Sequence, residues 1–268
     1  MQIRCSSPSC DQRKRHGELQ DSIVRLQWFL GISSSIVRDI VLLSLHSIRF
    51  PPVEQASPEG LLAVGGDLRP ERLLEAYRHG IFPWYNEGEP ILWWSPDPRA
   101  VLFPDKLHVS RSLKRRLRSH EFTVTLDTSF RSVMEQCAGP RPQYPGGGTW
   151  ITGDMLNAYT RLHELGYAHS VETWQQDRLV GGLYGIALGG AFFAESMFAR
   201  VDDASKVALV KLVRQLQAWN FHLIDCQQFS PHVARFGAEE IPRSNFTTHL
   251  HQAFTLPDRR GQWTFETV

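Results

Sequence analysis

The sequence predicts a mixed α/β (α+β) fold, and three observations support this class. Strand-like and helix-like segments alternate along most of the chain. Three successive strand-like segments, at 168–175, 178–188 and 190–198, have short connections and predict an antiparallel meander. An amphipathic helix at 204–219 and a short, mostly apolar strand at 221–227 follow. We therefore expect a mixed, mostly antiparallel sheet flanked by helices.

The composition of the chain excludes several classes of protein. Of its 268 residues, 42% are hydrophobic and 21% charged, which is typical of one or two globular domains with a sizeable core. The net charge of +1 excludes a strongly basic coat for nucleic acid. Four cysteines without a C-x-x-C pair argue against a disulfide framework or a four-thiolate zinc site. Since no apolar run approaches the roughly 20 residues that span a bilayer, we predict a cytoplasmic protein with reduced thiols.

Changes in composition divide the chain into four parts. Residues 1–39 are polar apart from one short apolar stretch, which is typical of an extension that is disordered or not native. One hypothesis for this extension is that translation begins near Val37. Residues 40–97 predict a small N-terminal domain and residues 98–255 a larger domain. Residues 256–268 are predicted to form a C-terminal tail.

Prolines and glycines set the elements of the small domain. The segment 50–68 has the chemistry of loops and turns. Pro70 opens a short helix, and Gly80 stands where a left-handed C-terminal cap is expected. Four prolines within 83–98 exclude a regular helix there. This stretch predicts extended pieces and turns around Trp84, Trp93 and Trp94.

The start of the larger domain shows four further elements. We predict a strand at 122–126, a helix at 128–137 and a second helix at 154–165. Between the helices, the segment 139–148 holds four glycines and three prolines and predicts a loop. A tight Gln-Asp turn at 176–177 is expected to join the first two strands of the meander.

The segment 106–118, KLHVSRSLKRRLR, is unusually basic. It carries six cations and no acid: Lys106, Arg111, Lys114, Arg115, Arg116 and Arg118. Like charges repel at helical spacings, so a run without compensating carboxylates favours contact with a polyanion such as a phosphate backbone. A solvated helix face is the alternative interpretation.

Four tryptophans fall in segments predicted as loops. They are Trp84, Trp93, Trp94 and, in GTWIT after the glycine-rich loop, Trp150. Tryptophans more often fill protein cores. In a loop beside a basic segment, however, a rigid aromatic face can stack a nucleobase.

Glu195 is a carboxylate inside a strand of apolar residues, AFFAESMF. Strict alternation predicts that its side chain shares a face with Phe193 and Met197. A carboxylate in a buried strand is costly unless it is paired or functional.

The strand LIDCQ raises the same question. Asp225 and Gln227 are expected on one face, and Cys226 on the other as a packed core residue rather than a nucleophile. Two interpretations of Asp225 remain open. It forms an ion pair with an Arg or Lys, or it belongs to a site that orients an amine and polarises a carbonyl.

Taken in order, these segments resemble the leucyl/phenylalanyl-tRNA–protein transferases. The resemblance covers about residues 40–250, through the blocks GLLAVGGDLRPERLLEAYRHGIFPWY, ILWWSPDPRAVL, SRSLKR, GTWIT, AYTRLHELGYAHSVETW, LVGGLYGIALGGAFFAESMF, ASKVAL and LIDCQ. It implies that the larger domain is N-acetyltransferase-like, with aminoacyl-tRNA in place of acyl-CoA.

The resemblance also implies an activity. A bacterial cytoplasmic enzyme of this family moves Leu or Phe, and less readily Met, from aminoacyl-tRNA to the N-terminal amine of proteins that begin with Arg or Lys. The product is marked for degradation. We expect no metal and no cofactor, because the aminoacyl ester is already activated. The expected partners are aminoacyl-tRNA and acceptor proteins, without a membrane, and nothing in the sequence demands more than a monomer.

Residue roles follow from the matching blocks. On the tRNA side, Trp84 and Trp150 are expected to hold the terminal adenosine, and the six cations to grip the acceptor stem. Asp225 and Gln227 match the positions assigned to catalysis. Glu195 is expected to fix the tRNA 3′ end or polar groups of the incoming peptide.

The transferred side chain is expected to enter an apolar pocket lined by Leu183, Phe192 and Met197. Two residues in this region depart from the family pattern. Leu183 stands where Met is common, and Ser230 stands where the family has Asn. Both could reshape the site locally.

Two alternatives stay open at this point. An acyl-CoA N-acyltransferase of the same fold needs a glycine-containing pyrophosphate loop before the long helix, and VDDASK at 201–206 supplies none. A non-catalytic RNA-binding module would use the cations and tryptophans, but leaves Glu195, Asp225 and Gln227 without a role. For the transfer step, Asp225 is expected to orient the acceptor amine and to be the candidate that accepts its proton, while Gln227 positions or polarises nearby groups. Proton transfer through a ribose hydroxyl of the tRNA is the rival to Asp225.

Overall fold

Two β-sheets and their helices build the fold in the computed structural model, which describes residues 40–139 and 149–265. The strands are β1 Val41–Leu43, β2 Leu61–Gly65, β3 Phe82–Pro83, β4 Leu92–Trp94, β5 Arg99–Leu102, β6 Thr123–Leu126, β7 Ala168–Gln175, β8 Arg178–Leu188, β9 Ala191–Ala199, β10 Leu223–Gln227 and β11 Glu239–Ile241. The helices are α1 Pro70–Arg78, α2 Arg111–Arg118, α3 Phe130–Cys137, α4 Gly153–Glu164, α5 Ala204–Ala218, α6 Pro231–Ala234 and α7 Arg243–Ala253. The predicted extension at 1–39 and most of the glycine-rich loop lie outside the described residues.

The larger sheet confirms the predicted fold class. Its seven strands run in the order β11-β5-β10-β9-β8-β7-β6, and β7, β8 and β9 form the antiparallel meander. Strand β10 lies parallel to β9 and antiparallel to β5, so it is an interior strand, as its apolar sequence predicted. The connection from β9 to the parallel strand β10 contains α5, as parallel neighbours require. Gln176 and Asp177 both have positive φ in the tight turn.

Apolar side chains cover both faces of this sheet. Successive residues of β9 point to opposite faces of the sheet, so Phe193 packs in one apolar cluster and Phe192 in another. The first cluster holds residues of α1, α3 and α4, and the second holds the buried face of α5. The sheet is therefore flanked by helices on both sides.

The smaller sheet, ordered β1-β2-β4-β3, corrects two expectations. The segment that contains β2 was predicted as loop, because it lacks alternation. Strand β2 pairs with β1 and β4, and its apolar residues are buried on both faces. Trp93 and Trp94 lie in β4 and are buried, with indole nitrogens bonded to the carbonyls of Gly65 and Trp84. These two tryptophans are core residues, not loop residues free to stack a base.

The small sheet and the larger domain share one core. The first apolar cluster contains Trp93 and Tyr77 together with Tyr159 and Phe193. It therefore crosses the boundary predicted near residue 97. This packing fixes α1 against the strands that carry the polar residues described below.

Residues 256–265, predicted as part of a tail, pack against the large sheet. The Trp263 side chain is 3% exposed, and its ring stacks on His169 with centroids 3.6 Å apart. Its backbone N–H donates to Asp127 Oδ2 at 2.7 Å. The buried tryptophan thus packs this segment against β7, and hydrogen bonds of Asp258 and Arg260 add to the attachment.

We expect Trp263→Ala to destabilise the protein markedly. Truncating a buried tryptophan leaves a cavity and costs about 3–5 kcal/mol, so the melting temperature should fall by roughly 10 °C. Thermal unfolding followed by circular dichroism measures the change. Thr264→Ala, at an exposed neighbouring position, is the control. Equal melting temperatures for Trp263→Ala and the wild type would show that the segment contributes nothing to stability.

Candidate active site

A chain of hydrogen-bonded polar side chains joins three strands of the large sheet to helices α1 and α4. Its members, in the order of their contacts, are Arg99 from β5, Asp225 and Gln227 from β10, Glu195 from β9, Tyr77 from α1 and Tyr159 from α4. All three residues predicted to be catalytic belong to this chain of contacts.

A bulge in β9 places Glu195 in this chain. Tyr184 faces Ser196 across the strands whereas Gly185 faces Ala194, so Glu195 is an extra residue in β9. The extra residue reverses the alternation beyond it. Strict alternation had predicted that Met197 shares a face with Phe193. This prediction was wrong, because Met197 packs in the second apolar cluster and Phe193 in the first.

Glu195 has three hydrogen-bond donors. Its Oε1 accepts from Tyr77 Oη at 2.7 Å and from Gln227 Nε2 at 2.8 Å, and its Oε2 accepts from Tyr159 Oη at 3.4 Å. The two phenol oxygens also contact each other. Burial raises the pKa of Tyr77 and of Tyr159 well above the ordinary value. Both phenols therefore stay neutral donors.

Burial also shifts the acidity of Glu195 itself. It raises the pKa of Glu195 to about 7, against the opposing effect of the hydrogen bonds from Tyr77 and Gln227. The negative charge of Asp225 raises this pKa further. Glu195 consequently exchanges its proton near neutral pH, which suits a general acid or base.

Asp225 forms the ion pair that the sequence left open as one alternative. Arg99 donates from Nε to Oδ1 at 2.8 Å and from Nη2 to Oδ2 at 2.7 Å, and both side chains are buried. The guanidinium lies between the rings of Phe82 and Phe246, 4.8 and 4.7 Å from their centroids. Both carboxylate oxygens of Asp225 are thus occupied.

A second bulge joins Asp225 to Gln227. The pairing of β10 with β5 shifts between these two residues, and Gln227 has a φ of 62°. In this conformation the backbone N–H of Gln227 donates to Asp225 Oδ1 at 2.8 Å, while its side chain reaches Glu195. The bulge interrupts the strict alternation from which a shared face of Asp225 and Gln227 was predicted, and the backbone contact joins the two residues instead.

An apolar cavity of about 230 Å³ opens beside Glu195. Its wall includes the three residues predicted for the side-chain pocket, Leu183, Phe192 and Met197. A cavity of about 150 Å³ lined by apolar side chains is enough to bind benzene. This cavity can therefore hold a branched aliphatic or a phenyl side chain.

Cys226 and Ser230 also line the cavity, on the segment that follows Asp225. Cys226 faces away from Asp225, as predicted, but it borders the cavity and is not a fully packed core residue. Burial raises the pKa of the Cys226 thiol to about 12, so the thiol is neutral and a poor nucleophile. The Ser230 hydroxyl accepts a hydrogen bond from the N–H of Val233 and caps α6, whose residues complete the wall.

The two remaining tryptophan candidates lie on adjacent segments. Trp84 is 41% exposed, and Trp150 is half-buried. Tyr85 Oη and Thr152 Oγ1, 3.4 Å apart, hold these segments together. The structure thus brings Trp84 and Trp150 to one region and leaves the Trp84 ring open to solvent.

The basic segment divides into paired and unpaired cations. Lys106 Nζ lies 2.5 Å from Glu239 Oε1, and Arg116 pairs with Glu121. The expectation that the run lacks compensating carboxylates was wrong for these two, because the acids come from outside the run. The other four cations are exposed on α2 without a partner among the described residues: Arg111, Lys114, Arg115 and Arg118.

Sequence reasoning did not single out Tyr77, Tyr159 or Arg99. Each appears in the chain as an ordinary helix or strand residue, and no spacing links them to Glu195 or Asp225. The signal that could have found them was the family resemblance. All three lie within its matching blocks, EAYRHG, AYTRLH and PDPRAVL.

Residues 40–139 and 149–265 contain neither a metal-binding cluster nor a membrane-spanning helix. No group of three or more His, Cys, Asp and Glu side chains there could hold a metal ion. None of the helices in the same ranges has both the length and the apolar character needed to cross a membrane.

Comparison with known proteins identifies the family. Residues 101–251 match the family model for leucyl/phenylalanyl-tRNA protein transferase, and residues 66–97 match the model for the N-terminal domain of the same family. The matched ranges contain Tyr77, Tyr159, Glu195, Asp225 and Gln227 of the polar chain, and Arg99 lies between the two ranges.

Two relatives with 60% identity agree with this match. The leucyl/phenylalanyl-tRNA–protein transferase of Nitratidesulfovibrio vulgaris strain DP4 is 60% identical over 80% of this chain and 91% of its own. That of Stutzerimonas stutzeri strain A1501 is 60% identical over 80% and 95%. A solved GCN5-related N-acetyltransferase from Kribbella flavida is 13% identical over 64% of this chain and 60% of its own, with a TM-score of 0.30. This chain belongs to the leucyl/phenylalanyl-tRNA–protein transferase family and is an aminoacyltransferase.

Proposed function

We propose that this enzyme moves Leu or Phe, and less readily Met, from aminoacyl-tRNA to the N-terminal amine of proteins that begin with Arg or Lys. The modified protein is marked for degradation. The enzyme acts in the cytoplasm as a monomer and needs no cofactor. One observation carries the proposal: Glu195, with a pKa near neutrality, lies in the wall of an apolar cavity of the size of these side chains.

The cavity supports the choice of donor. Its lining is mostly apolar, so burying a charged side chain there would cost its hydration, and an acidic side chain would also be repelled by ionised Glu195. Discrimination by size alone is weak, because one methylene is worth only about 1–3 kcal/mol. A cavity of this kind therefore accepts Leu, Phe and Met together instead of one of them.

The chemistry requires an amine to attack an ester carbonyl. The C–N bond forms, the C–O bond to the ribose breaks, and the amine loses a proton that finally goes to the ribose oxygen. An α-amino group has a pKa of about 7.7–8.0. Because the pKa of Glu195 lies close to that value, its carboxylate can attract the incoming ammonium group and take its proton.

We assign the other polar residues to the support of Glu195. Gln227 and Tyr77 hold the carboxylate in place by direct hydrogen bonds. Asp225 contributes through Gln227, since its own oxygens are bonded to Arg99 and to the Gln227 backbone. Trp84 and Trp150 stack the terminal adenosine, and the unpaired cations of α2 bind phosphates of the acceptor stem.

Transfer of labelled leucine from leucyl-tRNA tests the function. The acceptor is a protein with N-terminal Arg, and the same protein with N-terminal Gly is the control. We expect label only on the Arg protein, at its α-amine. Omitting tRNA and supplying leucyl-CoA separates this activity from that of an acyl-CoA N-acyltransferase. Transfer from leucyl-CoA, or none from leucyl-tRNA, would overturn the proposal.

We expect Leu183→Phe to change the donor preference. Leu183 is buried and lines the cavity, opposite Met197 across β8 and β9. A phenyl ring there removes space that a transferred Phe needs more than a transferred Leu. The ratio of kcat/KM for Leu over Phe should rise by about 10-fold or more. Both donors are measured on one preparation, so a loss of folded protein leaves the ratio unchanged. An unaltered ratio would mean that the side chain binds elsewhere.

A further inference from the structure

We infer that Arg99 is a positioning residue for the transfer reaction: through Asp225 and Gln227 it fixes the carboxylate of Glu195. The inference rests on the proposed role of Glu195. Four hydrogen bonds connect Arg99 to Glu195. Two join Arg99 to Asp225, one joins Asp225 to the backbone N–H of Gln227, and one joins the Gln227 side chain to Glu195.

Arg99 holds Asp225 in one orientation. A guanidinium fork that bonds both carboxylate oxygens leaves the carboxylate no freedom to rotate. The fork itself cannot move, because its plane is held between Phe82 and Phe246 and the side chain is 1% exposed. Asp225 Oδ1 is thereby aimed at the backbone of Gln227.

Gln227 depends on that oxygen. Its backbone lies in the left-handed region, with a φ of 62°, at the bulge where β10 leaves its pairing with β5. A residue other than glycine keeps this conformation only when surrounding contacts impose it. The Asp225 oxygen on the Gln227 N–H is such a contact. This contact fixes the backbone conformation that places the Gln227 side chain 2.8 Å from Glu195, so losing the contact should let the side chain move away.

Charge gives Arg99 a second effect on Glu195. The negative charge of Asp225 favours protonated Glu195, and the guanidinium neutralises that charge. The titratable and charged groups around Glu195 and its cavity are Tyr77, Tyr159, Tyr184, Arg99, Asp225, Cys226 and His232. Removing the guanidinium alone should raise the pKa of Glu195, and removing both members of the pair should lower it.

The rival explanation is that the pair only supports the fold. Buried ion pairs can often be replaced by apolar residues of similar size without loss of stability, whereas removing one partner is strongly destabilising. We therefore choose the double variant Arg99→Met/Asp225→Leu as the main test. The single variant Arg99→Lys, which keeps the charge without the planar fork, is its companion.

For a positioning role, we expect the double variant to fold and to bind aminoacyl-tRNA with KM within threefold of the wild type. Its kcat should fall by up to about 100-fold, because a misplacement of about 1 Å at a reacting group costs that much. The acid limb of its pH–rate profile should move to lower pH. Arg99→Lys should lower kcat but leave the acid limb of the pH–rate profile in place, because Lys keeps the positive charge. Wild-type kcat and an unmoved acid limb in the double variant would overturn the inference.

The same assays separate this inference from the proposed function. If the wild type does not transfer leucine from leucyl-tRNA, the function itself fails. If the wild type is active and Glu195→Gln is inactive, but the double variant retains full kcat, the positioning role of the Arg99–Asp225 pair is wrong and the role of Glu195 stands. Circular dichroism of every variant shows that folded protein is compared.

Discussion

Glu195→Gln should reduce kcat for leucine transfer by about 100-fold or more, the lower range for loss of a general base. The substitution keeps the shape of the side chain but removes its charge and its proton affinity. It also places an amide where Glu195 Oε1 now accepts from both Tyr77 and Gln227. The KM for aminoacyl-tRNA should change little, because the contacts of Glu195 are to the protein and the reacting groups.

Steady-state transfer with saturating acceptor protein measures this effect. Glu164→Gln, at an exposed position on α4, is the matched control and should keep wild-type kcat. If Glu195→Gln retains kcat within a few-fold, the carboxylate does not take the proton. The ribose hydroxyl of the tRNA then becomes the better candidate for that step.

Replacing the four unpaired cations of α2 by Gln should weaken tRNA binding by about 100-fold at physiological salt. The residues are Arg111, Lys114, Arg115 and Arg118. Each phosphate contact that is lost also removes roughly 0.7–0.9 from the slope of log affinity against log salt. The slope should therefore fall by about 3, while kcat at saturating tRNA stays close to wild type.

Binding of aminoacyl-tRNA at several salt concentrations measures both quantities. The matched control is Arg131→Gln/Arg161→Gln, which removes two exposed arginines that pair with Glu135 and Glu164 on other surfaces of the fold. We expect it to leave the slope unchanged. Equal slopes for the fourfold variant and the wild type would show that the tRNA backbone lies elsewhere.

The sequence predicted the sheet best where its signals were local. The strands 168–175 and 178–188 have the predicted bounds, because a tight turn and clear strand composition mark them. Strand β2 was missed because a strand buried on both faces shows no alternation. Met197 was placed on the wrong face because nothing in AFFAESMF announces a bulge.

The site was predictable only in part. Glu195, Asp225 and Gln227 stand out as polar residues in apolar strands, and the family resemblance gave the cavity residues. The partners of these groups come from distant parts of the chain. Arg99 lies 126 residues before Asp225, and Tyr77 lies 118 residues before Glu195. Such contacts depend on how the strands pair, which local pattern does not reveal.

Single-turnover transfer of leucine as a function of pH tests most directly whether the Glu195 carboxylate takes the proton of the amine. Because ionised Glu195 is the active form in this account, the wild-type rate should rise with pH and level off above an acid limb near pH 7. Glu195→Gln should be slow at every pH and should lack that limb. A Glu195→Gln profile with the wild-type rate and the same acid limb would contradict the account.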